Sequence, residues 1–248
     1  MTAPRRIGIL GGMGPEATVL LMQRLIRAVP ARDDGDHIPL FVDMNPQVPS
    51  RIAALIEGTG PSPEPVLVAM ARGLQQAGAM ALAMPCNTAH HYAPAIRRAV
   101  TIPLIDMIEL SVDAALRAAG PGATVGILAS PAVRLTGVFD AALAARGLHA
   151  VHPDPQAQDG LLQAIRAIKR AGVTDTERQA LDAARASVER SGARVSLVAC
   201  TELSLAMEPA PPGGPLIDTL DALVGGIVAF ALAPASPSSH ASDAGCEV

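Results

Sequence analysis

The sequence is poor in aromatic residues: its 248 residues include no Trp, one Tyr and three Phe. Proteins that bind single-stranded nucleic acid stack the bases on aromatic side chains, so we do not expect this class. A basic excess is also lacking, because 19 Lys and Arg stand against 23 Asp and Glu, a net charge of −4. The sequence therefore has no electrostatic footprint for a nucleic-acid partner.

Cysteines and long apolar runs are scarce as well. Three widely spaced cysteines, an odd number, do not predict a disulfide framework. The apolar runs at 7–10 and 222–232 are too short for a signal-peptide core and for a membrane helix of about 20 residues. We therefore expect a cytoplasmic protein with reduced thiols and no membrane partner. Charged residues make up only 17% of the chain, which indicates a large buried fraction or an apolar subunit interface.

Short apolar runs alternate with longer amphipathic stretches that are rich in Ala and Arg. This alternation predicts an α/β fold with parallel sheets. The runs that predict buried strands are 7–10, 40–42, 79–84, 125–128 and 195–199. The stretches that predict helices are 18–29, 65–77, 110–119, 137–146, 160–171 and 175–191.

The chain also contains a weak internal repeat. Three short motifs recur in the same order and at similar spacing: Ile-Gly-Ile-Leu at 7–10 as Val-Gly-Ile-Leu at 125–128, Pro-Cys-Asn-Thr at 85–88 as Ala-Cys-Thr-Glu at 199–202, and Pro-Leu-Ile-Asp at 103–106 unchanged at 215–218. The repeat predicts two similar units that face each other across a pseudo-twofold axis. Because open parallel sheets bind ligands at the carboxyl ends of their strands, Cys86 and Cys200 would approach one cleft from opposite sides.

Cys86 follows a predicted strand and precedes a helix, with the small polar residues Asn87 and Thr88 beside it. A buried structural cysteine is the ordinary alternative, but a helix start favours the thiolate and offers N–H groups to an anion. The matching Cys200 strengthens the functional interpretation. Cys246 lies in an Ala/Ser/Pro-rich tail, 233–248, which we expect to be disordered and functionally idle.

Three further features of the sequence are weaker evidence for a function. The adjacent His90 and His91 would point in different directions on a helix, so we expect no metal site. The segment 12–17, Gly-Met-Gly-Pro-Glu-Ala, loosely fits a dinucleotide fingerprint without its usual acidic partner. We interpret it as a tight turn that presents N–H groups to a carboxylate, and keep a dinucleotide-binding oxidoreductase as the alternative. Arg51 and Lys169 are ordinary surface cations by local sequence alone.

Four motifs together are similar to those of the aspartate/glutamate racemase superfamily, and of aspartate racemases most of all. They are Ile-Gly-Ile-Leu-Gly-Gly-Met-Gly-Pro at 7–15, Asn-Pro-Gln-Val-Pro-Ser-Arg at 45–51, Met-Pro-Cys-Asn-Thr-Ala-His at 84–90 and Ala-Cys-Thr-Glu-Leu at 199–203. The resemblance runs from about residue 7 to 232. It implies two three-layer α/β domains with the active site in the cleft between them, no pyridoxal phosphate or other cofactor, and a homodimer. It places 1–108 with 215–232 in the first domain and 109–214 in the second.

Carried over by position, the resemblance makes Cys86 and Cys200 the catalytic pair. It implies that Arg51 and Lys169 hold the side-chain carboxylate of an acidic amino acid. The other positions that match substrate-binding residues are Met13, Asn45, Gln47, Asn87, Thr88, Ser130, Thr201 and Glu202. Two departures concern the substrate: Ser50 stands where aspartate racemases commonly carry Asp, and Ser-Pro-Ala-Val at 130–133 replaces a Thr/Gly-rich turn.

The resulting hypothesis is cofactor-independent racemisation of an acidic amino acid, aspartate first, by two cysteines. Glu202 and His90 are candidates for setting the protonation of the thiols. The alternatives within the family are a glutamate or broad-specificity racemase, or an enzyme of the maleate isomerase, arylmalonate decarboxylase or hydantoin racemase type. An inactive small-molecule sensor on the same fold is a further alternative.

Overall fold

The structure is a computed structural model that describes residues 3–207 and 215–234. Its strands are β1 (Ile7–Gly11), β2 (Leu40–Met44), β3 (Ala81–Ala83), β4 (Leu104–Ile105), β5 (Thr124–Leu128), β6 (His149–Val151), β7 (Val195–Val198) and β8 (Leu216–Asp218). Its α-helices are α1 (Pro15–Ala28), α2 (Glu64–Gln76), α3 (Ala93–Ala99), α4 (Met107–Ala119), α5 (Pro131–Thr136), α6 (Val138–Ala144), α7 (Pro155–Ala171), α8 (Asp175–Arg190), α9 (Thr201–Leu205) and α10 (Thr219–Leu232). Residues 235–248 of the predicted disordered tail, which include Cys246, lie outside the described residues.

The strands form two four-stranded sheets with equivalent topology. Their orders are β2-β1-β3-β4 and β6-β5-β7-β8, and neighbouring strands pair in parallel. The predicted fold class, two similar parallel α/β units, is confirmed. Inner strands such as β1 are buried along their whole length because helices cover both faces of each sheet, as parallel sheets require.

Each sheet has an apolar core on both faces. In the first unit, residues of α2 and α3 pack on one face, and residues of α1 and α10 pack on the other. In the second unit, α4 and α6 cover one face, and α7 and α8 cover the other. Each unit is therefore a three-layer sandwich of helices, sheet and helices.

The repeated Pro-Leu-Ile-Asp motif builds the same local structure twice. Its apolar residues form the short edge strands β4 and β8, and its aspartate caps the next helix. Asp106 accepts hydrogen bonds from the backbone N–H groups at the start of α4, and Asp218 accepts one from the N–H of Leu220 at the start of α10. An aspartate at this position stabilises a helix start by about 1 kcal/mol.

The helices that follow the motif are exchanged between the units. β4 belongs to the first sheet, but α4 packs on the second through Ile108 and Val112. β8 belongs to the second sheet, but α10 packs on the first through Leu223 and Ile227. The segment predicted to return to the first domain, 215–232, is therefore divided: its strand lies in the second sheet, and only its helix covers the first.

The five predicted strands and six predicted helices are present with shifted ends. The pattern after the second Pro-Leu-Ile-Asp motif is also helix-like, and α10 lies there. The edge strands β4, β6 and β8 and the short helices α3, α5 and α9 were not predicted. Among the described residues, no helix is both long enough and apolar enough to cross a membrane.

Candidate active site

Cys86 and Cys200 lie just after two equivalent inner strands, β3 and β7. Both thiols line the same cavity between the two units, which has a volume of about 120 Å³. The structure therefore brings together one cysteine from each half. Eight other predicted site residues line this cavity with them: Met13, Arg51, Asn87, Thr88, Ser130, Lys169, Thr201 and Glu202.

Two predicted site residues do not line the cavity. Gln47 is exposed, and its backbone N–H donates to Oδ1 of Asn45 at 3.0 Å, which closes a turn after β2. The backbone of Asn45 lies against Gly12, where an added Cβ would come within 2.4 Å of it. Gly12 also has a φ of +89°, so this close packing of two turns requires glycine.

Sequence reasoning missed part of the cavity wall. Ile52, Ile165 and Ala199 also line it, as does Ser50, which was noted only as a departure from the aspartate-racemase pattern. Ile165 lies one helical turn before Lys169 on α7, so the two side chains share a face of that helix. That spacing is the only local signal that could have identified Ile165.

A larger cavity of about 520 Å³ adjoins the first one. The two share Ser50, Arg51, Lys169 and Glu202, and the larger one reaches the glycine turn after β1 and the start of α1. The glycine turn thus lines the larger cavity, which adjoins the cavity that contains the thiols. Across residues 3–207 and 215–234, no cluster of three or more His, Cys, Asp or Glu side chains is arranged to hold a metal ion.

The thiol of Cys200 has a carboxylate partner. Its Sγ–H donates to Oε2 of Glu202 at 3.0 Å, and the other oxygen, Oε1, lies 2.6 Å from Nζ of Lys169. Burial raises the pKa of Cys200 well above its ordinary value, and the charge and hydrogen bond of Glu202 raise it further. Lys169 opposes this rise only in part. The geometry therefore holds Cys200 as the protonated thiol.

Lys169 remains charged in this environment. Burial by itself would lower its pKa, but the charge and hydrogen bond of the Glu202 carboxylate oppose burial, and the pKa of Lys169 is raised. The side chain of Lys169 is 37% exposed, whereas that of Glu202 is 9% exposed. The ion pair therefore lies at the wall of the cavity, with its cation toward solvent.

Two hydrogen-bonded links join the halves beside the cysteines. The hydroxyl of Thr201 donates to the carbonyl of Pro85 at 3.2 Å. The amide of Asn87 donates through Nδ2 to Thr219 at 3.0 Å, and the hydroxyl of Thr219 donates in turn to the carbonyl of Val198 at 2.9 Å. The residues after each cysteine therefore hold the two strand ends against each other.

The second link also fixes the orientation of the Asn87 amide. Because the proton of Thr219 is committed to Val198, Thr219 must accept from Nδ2 of Asn87. Oδ1 of Asn87 is buried and has no hydrogen-bond partner among the described residues. A buried acceptor without a partner costs about 1–3 kcal/mol, so a ligand N–H donor that reached Oδ1 would remove this cost.

Arg51 is fixed by main-chain carbonyls. Its Nη1 donates to the carbonyls of Val48 and Pro49. Its Nη2 donates to the carbonyl of Met13 at 3.2 Å, which joins the turn after β2 to the turn after β1. Within residues 3–207 and 215–234, no carboxylate forms an ion pair with this guanidinium. Arg51 is thus a preorganised cation at the mouth of the cavity.

His90 has a structural environment. Nε2 accepts from the backbone N–H of Met107 at 3.2 Å, so the proton is on Nδ1, which donates to the carbonyl of Cys86 at 2.9 Å. Burial lowers the pKa of His90, although Asp106 opposes it. A neutral imidazole with both nitrogens bonded to the main chain positions the Cys86 loop and does not reach the cavity.

Fold and site together define a class of protein: a duplicated α/β scaffold that presents one thiol from each half to a small polar cavity. Among the described residues that line it, Arg51 and Lys169 are cations, Glu202 is a carboxylate, and four bear hydroxyl groups: Ser50, Thr88, Ser130 and Thr201. Such a site suits a small ligand with carboxylate groups and proton transfer at one of its atoms.

Comparison with known proteins agrees with this class. The model of the Asp/Glu/hydantoin racemase family matches residues 10–226. The broad-specificity amino-acid racemase RacX of Bacillus subtilis (strain 168) is 25% identical over 240 residues, which are 92% of this chain and 98% of that protein. The aspartate racemase of Picrophilus torridus has a TM-score of 0.79 at 28% identity, with 92% of this chain and 94% of that chain covered.

Glutamate racemases share the fold more distantly. The structure of the Francisella tularensis enzyme in complex with D-glutamate has a TM-score of 0.58 at 16% identity, covering 90% of this chain and 79% of that one. The chain belongs to the Asp/Glu/hydantoin racemase family. It is accordingly an enzyme of the racemase class.

Proposed function

We propose that this protein racemises an acidic α-amino acid, aspartate first, by proton transfer between Cys86 and Cys200 without a cofactor. The observation that carries the proposal is the presence of both thiols, one from each unit, on a single small cavity. Racemisation needs a base on one face of the α-carbon and an acid on the other, and this duplicated scaffold supplies one group from each half.

The charges of the cavity favour a dicarboxylate substrate. Among the described residues that line it, Arg51 and Lys169 are cationic and Glu202 is anionic. Lys169 is already paired with Glu202, so Arg51 is the cation of this lining that a substrate carboxylate can pair with. Aspartate carries a side-chain carboxylate that would complement Arg51. Arg51 can bind one carboxylate with two parallel hydrogen bonds.

Residues beside the cysteines would bind the α-amino and α-carboxylate groups. Oδ1 of Asn87 is a buried acceptor suited to the substrate ammonium. Thr88 offers a hydroxyl group, whereas the hydroxyl proton of Thr201 is already donated to the carbonyl of Pro85. The α-proton of an amino acid is very weakly acidic, so donors such as Arg51 and Thr88 must stabilise the negative charge that develops on the carboxylate when the proton leaves.

In the proposed reaction one cysteine, as thiolate, takes the α-proton, and the C–H electron pair moves into the carboxylate. The other cysteine, as thiol, then donates its proton to the opposite face of the planar carbon. The product is the other enantiomer, and the two sulfurs have exchanged protonation states. The reverse reaction starts from that exchanged state, so one cavity serves both enantiomers.

A second candidate is racemisation of a wider range of amino acids. Two aliphatic side chains, Ile52 and Ile165, line the cavity near Arg51 and Lys169. They could contact an uncharged substrate side chain. RacX, which is 25% identical over 240 residues, is described as a broad-specificity racemase. The choice between the candidates depends on whether a side-chain carboxylate is required.

One experiment tests both candidates. The purified protein is incubated in heavy water, without added cofactor, with each enantiomer of aspartate, glutamate and a set of neutral amino acids. Chiral chromatography measures racemisation, and mass spectrometry measures deuterium at the α-carbon. We expect fastest exchange with aspartate. Equal rates with neutral amino acids would favour the broad-specificity candidate, and no exchange with any of them would refute the proposed function.

We also propose that the protein works in the cytoplasm as a homodimer. The mechanism requires reduced thiols, which a reducing compartment maintains. Val19 and Ile26 on α1 are 46% and 58% exposed, and a second copy is a suitable cover for such a face. Analytical ultracentrifugation tests this: a sedimentation coefficient that stays monomeric up to high protein concentration would contradict it.

A further inference from the structure

The position two residues after each cysteine differs between the halves. In the first unit it is Thr88, a neutral hydroxyl, and in the second it is Glu202, a carboxylate. Glu202 is 7% exposed and accepts the Cys200 proton at 3.0 Å while its other oxygen pairs with Lys169. Among the described residues that line the cavity, Glu202 is the only carboxylate. The two thiols are therefore electrostatically unequal.

We propose that Glu202, held in place by Lys169, keeps the proton on Cys200 in the free enzyme, so that Cys86 is the resting base. Glu202 is then a positioning residue that acts through Cys200, and not the substrate ligand that the family resemblance implied. The inference rests on the proposed function for its kinetic consequence only, because the protonation of the thiols is measurable without any substrate.

The other charged or titratable groups around Cys200 do not cancel this effect. Lys169 reaches it from α7, Arg51 from the turn after β2, and Cys86 from the turn after β3. Lys169 favours a thiolate, but its ammonium is bound to the carboxylate that separates it from the thiol. Glu202 makes the direct hydrogen bond, and a carboxylate 3.0 Å from sulfur disfavours a second negative charge there.

The kinetic consequence concerns both limbs of the pH profile. The active form of the pair carries one proton, on one of the two sulfurs. The value of kcat/KM therefore falls at low pH, where both sulfurs are protonated, and at high pH, where neither is. On this proposal the alkaline limb reports loss of the proton from Cys200. Because the two enantiomers have equal free energies, kcat/KM must follow the same pH profile in both directions.

The test is Glu202→Gln, which keeps the size of the side chain and removes its charge. We expect the alkaline limb of kcat/KM to move to lower pH, with little movement of the acid limb. The matched control is Glu189→Gln, the same change in an exposed side chain on α8 that pairs with Arg185. Its pH profile should coincide with that of the unmodified protein.

A second readout needs no activity. Iodoacetamide alkylation is followed over pH for each cysteine-containing peptide by mass spectrometry, so that the shape of each curve reports thiolate formation independently of access. Alkylation of Cys200 should begin at higher pH than that of Cys86. Glu202→Gln should raise the rate of Cys200 alkylation at neutral pH about tenfold, because it removes the negative charge that disfavours the thiolate.

Lys169→Met provides a change of opposite sign. It leaves the carboxylate without its counter-cation, so alkylation of Cys200 should become slower than in the unmodified protein. Coincident alkylation curves for the two cysteines, or an unchanged Cys200 curve in both variants, would overturn the proposal. A substrate panel without any racemisation, combined with the predicted alkylation curves, would instead refute only the proposed function.

Discussion

The two halves of this protein have the same strand–cysteine–helix arrangement but place different groups around the cysteine. After β3, Cys86 is followed by an amide and a hydroxyl, and its carbonyl is bound by a neutral His90. After β7, Cys200 is followed by Thr201 and by Glu202, which binds its proton. The comparison shows that a duplicated scaffold supplies two equivalent cysteine positions. The different residues that follow each cysteine then give the two thiols unequal surroundings.

A second contrast concerns the aspartates of the repeated Pro-Leu-Ile-Asp motif. Both cap a helix, but their counter-ions differ in burial. Asp106 pairs with Arg97, whose side chain is 45% exposed. Asp218 pairs at 2.5 Å with Arg24, whose side chain is 10% exposed, and also accepts from Ser204 on the helix that follows Cys200. The buried pair ties α1 of the first unit to the end of β8 in the second.

The largest effect expected concerns the cysteines themselves. Cys86→Ala and Cys200→Ala should each lower kcat/KM for racemisation by about 10³-fold or more, since each removes a general acid or base. Each variant should retain deuterium exchange on one enantiomer, because one thiol still reaches one face. If the two variants favour the same enantiomer in a heavy-water assay, the thiols do not flank the α-carbon.

The next effect concerns the stability of the two aspartate pairs. Arg24→Met leaves the buried charge of Asp218 without its main counter-ion and should lower the free energy of unfolding by about 3 kcal/mol. Arg97→Met should cost less than about 1 kcal/mol because its pair with Asp106 is accessible to solvent. Urea denaturation measures both, and equal losses would mean that burial does not distinguish the halves.

The smallest effect concerns the repeated glycines, Gly8 and Gly126. A Cβ on Gly126 would lie 2.5 Å from Cγ2 of Val188 on α8, whereas one on Gly8 would lie 3.0 Å from its nearest neighbours. We expect Gly126→Ala to cost about 2–3 kcal/mol and Gly8→Ala about 1 kcal/mol, the usual range for overpacking. Thermal unfolding of both variants checks the order, which a reversal would contradict.

Much of the scaffold was readable from sequence. The long strands and helices have strong local periodicity, and the repeat revealed the duplication because both halves still share the same letters. Short edge strands such as β4 were missed because two residues carry no periodicity. Local sequence gives no sign of which sheet the helices α4 and α10 each cover, and only the family resemblance, which divided the chain at 108/109 and at 215, bore on this.

The sequence predicted which residues belong to the site better than it predicted how they are arranged. Cys86 and Cys200 stood out through the repeat, and the family resemblance indicated most of the residues that line the cavity with them. It did not indicate Ile52 or Ile165, whose apolar side chains look like ordinary core residues. It also included Asn45, whose side chain closes its own turn instead of facing the cavity.

The sequence by itself determined which residues are the candidates for the chemistry, because the cysteines and their polar neighbours are fixed by position within two matching motifs. Only the tertiary structure decided how they are coupled. Lys169 is 33 residues before Glu202 and lies on another helix, so their 2.6 Å ion pair arises solely from the packing of α7 against α9. Local sequence fixes what a strand or helix end presents, whereas the distance between two such ends depends on how whole elements pack.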